Sequence, residues 1–525
     1  MDFDQSILAD LGYKQEFKRD FSKIELFGLS FSIVGVVQSI ASILVYSIPY
    51  GGPVSMVWGW LTGSVFLLCI GLTIAELGSS IPVASATYYW THRLAAPRYR
   101  NYLSWLIGYV NTAGYTSGVA GVDYSCALAI LTAASISTDG NYIPTDGHIY
   151  GVFCALLLLH TFMASLPTKV LARIQLISVI LNVGVFLAFI VAIPAATPQN
   201  FKNNAKYVFG HFENLSGYSD GFAFFLSLLA PLWSVGGFDS SVHISEEARN
   251  ARTAVPFAIM TTTILGCLFG FSTILAVTFN MGNDLASVVG NPFGQPMAAI
   301  LLNSLGKRGL LAFWAFIIIT LFISGMDLLI ATSRQIFAFS RDGALPMSKM
   351  LYRISPLTGT PINAVCLGAV IAALWGLLSF AGVAAVTAVF TSGVVCQYLC
   401  YCTPVISRFI GGQKFTPGPF YLGKLSGPVA TLATLFMLFM IVVLQFPAAP
   451  HPIAQDMNYT VVVVGGTVLL ATGYYFISGR YWFVGPVVTA PSEVKRDNLS
   501  ESSIRSNTKG EHNVDMTVLN RQWSS

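Results

Sequence analysis

A chain of 525 residues that is 54% hydrophobic and only 10% charged, with a mean hydropathy of +0.66, is not a soluble globular protein, where about a quarter of residues carry charge. It reads as an all-α polytopic membrane protein whose first partner is the lipid bilayer. The net charge of +4 says little until its distribution is read, and no nucleic-acid partner is expected.

Residues 1–25 are polar, and the first apolar run is too long for a signal peptide, so a cytosolic N-tail is expected to lead into a retained first span. Windows of about 19 residues predict twelve spans near Leu26–Ile48, Val54–Gly78, Leu103–Leu131, Ile149–Leu166, Val170–Ile193, Gly221–Val242, Val255–Phe279, Leu310–Phe339, Pro361–Ala381, Ala385–Ile406, Leu425–Phe446 and Tyr459–Ile477. The third is the least regular, because Asp123 and Tyr124 interrupt its apolar run. With the N-terminus inside, 24 of the 28 Lys and Arg residues fall on the cytosolic side, against Lys202, Lys206, Lys307 and Arg308 outside. The positive-inside rule then puts both termini in the cytosol, and an odd number of spans would break the alternation. The predicted organisation is an N-tail (1–25), a transporter domain (26–478) and a disordered cytosolic C-tail (479–525). Pro491 onward is Ser-rich with mixed charge, a composition suited to phosphorylation or trafficking signals.

The sixth span carries residues that a membrane helix should avoid. Trp233, Ser234, Gly236, Gly237, Phe238 and Asp239 are followed by His243, Glu246 and Glu247. Glycine pairs weaken a helix, and backbone freed at membrane depth must face protein or a water-filled cavity. The stretch therefore reads as a discontinuous helix at a substrate site, or else as a Gly-kinked structural helix with an acidic end. The first span mixes Gly28, Ser30, Ser32, Gly35, Gln38, Ser39 and Ser42 into an apolar run. Small residues suit close packing; equally, a second broken helix would offer N–H groups to a carboxylate. The first and sixth spans are corresponding members of two five-span halves, 26–193 and 221–406, with 425–478 supplying the last two helices. Paired interruptions in corresponding helices point to a binding site.

Several longer motifs carry a resemblance: L-G-Y-K-Q-E-F-K-R-D-F-S (Leu11–Ser22), F-S-I-V-G-V-V-Q-S-I-A-S (Phe31–Ser42), A-E-L-G-S-S-I-P-V-A-S-A-T-Y-Y-W (Ala75–Trp90), G-F-D-S-S-V-H-I-S-E-E-A-R-N-A (Gly237–Ala251), S-R-Q-I-F-A-F-S-R-D-G-A-L-P (Ser333–Pro346) and P-G-P-F-Y-L-G (Pro417–Gly423). Together they resemble the amino acid/choline branch of the amino acid–polyamine–organocation superfamily, closest to fungal GABA permeases, over nearly the whole chain outside the C-tail. The resemblance implies a LeuT-like fold of twelve helices, a five-plus-five inverted repeat with two further C-terminal helices, and transport by alternating access. It implies that the first helix unwinds around Gln38, Ser39 and Ile40, whose amides receive the substrate carboxylate. It also implies that carbonyls from Ser234 to Asp239, with Gly236 and Gly237 between, accept the ammonium, and that Trp233 and Phe238 close over it. One departure concerns the coupling ion. Where several bacterial relatives carry a lysine in the fifth span, nine residues after an arginine matching Arg173, this chain has Asn182.

Proton coupling is the expectation, because Glu76, Asp123, Asp239 and Asp327 sit in or near spans, where carboxylates are costly and functional by default. Each has a rival reading, Glu76 as a loop anchor at its helix end being the plainest. Glu246 and Glu247 read as a gating salt bridge to Arg341 or Arg93, or as a solvated helix end. No metal is expected, since His243 and Glu247 lack further ligands. Cofactors are expected to be none. Cys396, Cys400 and Cys402 show no zinc spacing and the eight cysteines lie in apolar segments, so no disulfide is expected either. Asn214 and Asn458 are formal glycosylation sequons. Neither an H-E-x-x-H nor a Walker motif is present, which argues against a membrane enzyme and an ATP-driven pump. The short outside loops argue against a receptor or channel. The sequence reading is a permease for GABA or a related small amino acid or amine, with choline, polyamine or thiamine as the alternative cargo, in the plasma membrane or a vacuolar or other internal membrane.

Overall fold

The computed structural model describes residues 3–453 and 457–489, and the chain divides into two compact units. In the small one, whose described residues are 3–16 and 487–489, a helix at Phe3–Asp10 is followed by a turn at Gly12. There Thr489 N–H donates to the Gly12 carbonyl (2.8 Å) and Lys14 N–H to Thr489 Oγ1 (3.0 Å). The Ser-rich tail expected from Pro491 lies outside the described residues.

The large unit, residues 17–486, is a helix bundle. A capping box opens it: Ser22 Oγ accepts from Glu25 N–H while the Glu25 carboxylate accepts from Ser22 N–H. The resulting helix α1 (Lys23–Val34) stops at Gly35, which is left-handed (φ 33°), and the chain re-enters helix as α2 (Val36–Ile43). After Gly51-Gly52-Pro53, a proline-at-N1/N2 start, come α3 (Gly52–Ser80), α4 (Ala86–Leu94), α5 (Arg100–Ser137), α6 (Asp146–Ala164) and α7 (Thr168–Ala196). The sixth predicted span is in pieces: α8 (Asp220–Ser227), α9 (Leu229–Ser234) and α10 (Ser240–His243). Then follow α11 (Ala251–Asn280), α12 (Pro296–Arg341, kinked at Gly306), α13 (Ile362–Gly376), α14 (Val383–Ile410), α15 (Ser426–Val443) and α16 (Thr460–Ile477).

Eleven helices among the described residues are long and apolar enough to cross a membrane, the broken α1–α2 counted as one. The sixth of the twelve expected spans is not among them, because its apolar helix ends after Asp220–Ser234. Asp123 and Tyr124 do not interrupt the third span, which runs as one helix through both; a single buried carboxylate facing a partner does not break intrahelical hydrogen bonding. Burial sorts the bundle: 89% of the apolar stretch in α1–α2 and 83% of that in α14 is buried, against 17% in α16. The broken helix therefore runs through the interior. Outer faces expose Leu158, Ile180 and Leu470, apolar surface that suits lipid rather than water.

Two sequence boundaries shift. The C-tail expected from residue 479 does not leave the bundle there: a 3-10 turn at Gly479–Tyr481 brings Phe483 into contact with Trp105 (centroids 5.1 Å), 2% exposed. Within the expected N-tail, Phe21 pairs as a parallel bridge with Ala248, and Arg19 donates to the carbonyls of Ala248 (2.6 Å) and Ser245 (3.3 Å). Asn458 is buried, its amide nitrogen donating to the Leu444 and Phe446 carbonyls and its oxygen accepting from Thr460. That sequon is a loop brace.

Candidate substrate site

The two breaks face each other. Gly237 is left-handed (φ 81°), and a Cβ there would lie 2.7 Å from Ile33 Cγ2, two residues before Gly35. Glycine is required by backbone conformation and by the approach of the other chain segment. Among the described residues, the carbonyls of Ser234, Val235 and Gly236 and the amides of Gly237, Phe238 and Asp239 enter no backbone hydrogen bond. Buried peptide groups of this kind are rare unless something else satisfies them.

In the first span the break lies earlier than expected. Gln38, Ser39 and Ile40 are helical residues of α2, and the Ser39 amide already donates to the Gly35 carbonyl (2.9 Å). The open amides at the start of α2 are those of Val36, Val37 and Gln38. The reason is steric: Gly35 adopts the left-handed conformation that ends α1, and the Gln38 side chain folds back over it, its Nε2 being 1.9 Å from where a Cβ would stand. That Nε2 donates to Asn182 Oδ1 (2.8 Å), so Asn182 ties α7 to the break in the first span. Two freed carbonyls are taken up locally: Ser39 Oγ donates to Val34 (2.7 Å) and Ser324 Oγ on α12 to Ile33 (3.2 Å).

A cavity lies between the breaks, lined by Ile33, Ser39, Trp233, Gly236 and Gly237, by Gly114, Tyr115, Gly118 and Val122 of α5, by Leu328 of α12 and by Gly393, Val394 and Gln397 of α14. Its volume is ≈ 40 Å³, less than an amino acid fills. Its wall is shaped by glycines: a Cβ at Gly121 would strike the Trp233 ring at 2.6 Å, and one at Gly393 would stand 3.2 Å from it. Trp233 meets Phe390 edge to face (4.7 Å), and Phe390 lies 5.6 Å from Tyr46. Beyond this aromatic row is a larger cavity of ≈ 380 Å³ that Tyr46, Thr387 and Thr391 help to line.

Of the expected binding residues, Ser39, Trp233, Gly236 and Gly237 line the cavity, whereas Gln38, Ile40, Ser234, Phe238 and Asp239 do not. Phe238 turns instead toward Tyr401 (6.0 Å). Asp239 lies behind the wall, 2% exposed, with Tyr115, Tyr401 and His243 as polar neighbours. Neither of its oxygens makes a well-formed hydrogen bond among the described residues. Tyr115 and Gln397 were not singled out from sequence; the spacing of Gly114, Gly118 and Gly121 on α5 was the available sign that another chain segment comes close there.

The remaining candidates separate by partner. Glu76, fully buried, takes two bonds from Arg408 (2.8 and 3.2 Å) and one from Ser426 (2.8 Å), joining α3 to α14 and α15. Glu246 takes two from Arg341 (2.9 and 3.0 Å) and also accepts from Ala84 N–H (3.1 Å). Glu247 pairs with Arg334 (2.7 Å) and accepts from Thr168 (2.9 Å). Both are about 1% exposed, so the solvated-end reading does not apply. Asp123 pairs with His160 (3.1 Å), and Asp327 accepts from Gln175 (2.7 Å). His160, Gln175, Arg334 and Arg408 received no role from sequence. No group of three or more potential metal ligands occurs among the described residues.

A bundle of membrane-length helices, with two of its members broken around a shared cavity, defines a polytopic membrane transporter. A family model described as amino acid permease matches residues 24–468, and the chain belongs to that family. It is 36% identical over 489 residues to the GABA-specific permease of Saccharomyces cerevisiae, covering 92% of this chain and 86% of that one. It is 36% identical over 495 residues to an uncharacterized amino-acid permease of Schizosaccharomyces pombe (94% and 90% covered). The amino-acid permease BAT1 of Arabidopsis thaliana is 33% identical over 502 residues (93% and 97%). The chain is an integral multi-pass membrane protein and an amino-acid permease, not an enzyme.

Proposed function

We propose that this permease moves GABA or a closely related small amino acid, by alternating access around the cavity between the two breaks and with a proton as coupling ion. The observation that carries the reading is the cavity lined by both interrupted segments, with Gly237 of one packed against the Ile33 side chain beside the break in the other. The Val36–Gln38 amides suit a carboxylate, and the open carbonyls of Ser234–Gly236 suit an ammonium. Asp239, one side chain behind Tyr115, supplies negative charge to the ammonium side. The end with Arg334, Arg341 and Arg19 is closed by buried ion pairs and is the cytosolic one in this reading. The aromatic row Trp233–Phe390–Tyr46 then faces the outer, larger cavity. The small central volume must widen to admit this cargo.

Asp239 also favours a second reading, an organic cation without a carboxylate such as choline, a polyamine or thiamine. Uptake of labelled GABA, choline, putrescine and thiamine by cells lacking their own carriers, at two external pH values, separates the readings. GABA uptake that rises as the outside is acidified is expected, and exclusive uptake of a cation would overturn the first reading. Asp239→Asn should abolish uptake with membrane abundance intact; unchanged uptake removes Asp239 from the site.

A further inference from the structure

Five of the buried acids in the large unit fall into two groups, Asp239 lying at the substrate site described above and Asp342 beside Tyr88. Glu76, Glu246 and Glu247 each face an arginine in an ion pair. Asp123 and Asp327 do not form an ion pair with lysine or arginine among the described residues; Asp123 pairs with His160 instead. Asp123 Oδ2 lies 3.1 Å from His160 Nδ1, with both side chains 0% exposed. Asp327, equally buried, accepts from Gln175 (2.7 Å) and stands two residues along α12 from Gly325, which abuts both Asp123 and His160. Among the described residues each of the three keeps one polar atom without a well-formed hydrogen bond: Asp123 Oδ1, His160 Nε2 and Asp327 Oδ2. The space is shaped for them, since a Cβ at Gly325 on α12 would lie 2.0 Å from Asp123 Oδ1 and 2.9 Å from His160 Cε1.

We infer that Asp123, His160 and Asp327 form the site that carries the coupled proton, separate from the substrate cavity. This rests on the proton-coupled reading above. The Asp123 carboxylate and the His160 imidazole face each other at 3.1 Å, away from water, an acceptor and a ring nitrogen between which a proton can be held. Of the elements against α6, α5 contributes Asp123 and Cys126, and α12 contributes Asp327 together with Phe322, whose ring lies 4.5 Å from His160. Helix α13 contributes no charged residue. On α7, Gln175 faces Asp327, whereas Lys169 and Arg173 are exposed. One proton from water adds to a free nitrogen or carboxylate oxygen of the cluster, raising its charge by one, and the same proton leaves to water on the other side. The link to transport runs along α12. Asp327 is one turn from Ser324, which holds the Ile33 carbonyl, and the Ser32 hydroxyl stands beside Asp327. The charge on the cluster thereby bears on the break in the first span.

The test uses the full chain in proteoliposomes, with wild type, His160→Gln and Asp327→Asn. Across a gradient of about one pH unit, wild type should accumulate labelled GABA toward about tenfold. The variants should exchange labelled for unlabelled GABA at the wild-type rate yet accumulate none. Retained accumulation in both overturns the inference; so does joint loss of exchange and accumulation, which marks a structural role. Infrared difference spectra of the purified chain between about pH 5 and about pH 8 add a readout independent of cargo. A protonated-carboxyl band removed by Asp327→Asn and shifted by His160→Gln supports the site, and its absence in wild type overturns it. A chain that moves no GABA but shows that band and its two changes refutes the substrate reading while supporting the proton site.

Discussion

Glu76 shows how much a single buried carboxylate decides in this protein. Arg408 holds it with both terminal nitrogens and also lies 3.7 Å over the Phe415 ring. The same acid accepts from Ser426 at the start of α15. Bidentate geometry and burial make this one of the ion pairs that matter, unlike the exposed Lys307–Asp139 pair. Glu76→Gln leaves Arg408 without its counter-charge and should cost about 3–5 kcal/mol, seen as a lower melting temperature in detergent and reduced abundance in the membrane. An unchanged melting curve would show that Arg408 finds another anion or water. From sequence, Glu76 reads equally as a loop anchor at its helix end and Asp123 as a deeper acid with a functional role, but neither reading names a partner. Their difference comes from partners 332 and 37 positions away, which no local pattern carries.

At the scale of the element, both interruptions are glycine-dependent, and each has a particular reason. Gly35 ends α1 because it is left-handed and lies under the Gln38 side chain. Gly237 is left-handed and faces Ile33. Gly237→Ala combines a left-handed alanine, about 1–2 kcal/mol, with an overlap that forces the two breaks apart. Uptake should fall well below what any drop in abundance explains, and normal uptake would mean the breaks need not touch. The sixth-span break was legible because Gly236-Gly237, Asp239 and three serines cannot sit comfortably in one lipid-facing helix. In the first span the polar residues marked the right helix but the wrong turn. Ser39 bonds back to the Val34 carbonyl at the break and Gln38 bonds across to Asn182 on α7, so they flank it without being unwound.

In the large unit taken whole, one end is locked and the other is not. At the basic end, Arg341–Glu246, Arg334–Glu247 and the Phe21–Ala248 bridge bind α12, the loop after α3 and the N-terminal segment to the far side of the broken sixth span. At the opposite end the aromatic row Trp233–Phe390–Tyr46 stands between the central cavity and the ≈ 380 Å³ space. Removing half of a buried charge pair costs several kcal/mol, and each 1.4 kcal/mol is tenfold in an equilibrium. Arg341→Gln should therefore open the basic end at least about tenfold more often. An impermeant thiol reagent applied from that side should label Ser39→Cys correspondingly faster in the Arg341→Gln background than without it, and equal rates would mean that these pairs do not gate.

What the sequence determined by itself is what residues carry one at a time. Hydropathy sums along a window, charge counts by loop, and a glycine pair or buried acid is visible wherever it falls. Those were enough for the membrane class, for all the long helices and for two interrupted segments. Tertiary structure alone decided which acid meets arginine and which meets histidine, that Phe238 turns from the cavity while Tyr115 and Gln397 enter it, and that the first break falls at Gly35. The physical reason is common to all three. Inside a low-dielectric bundle a polar group's role is set by the nearest group able to satisfy its charge or hydrogen bond, and that neighbour is supplied by helix packing, not by chain order.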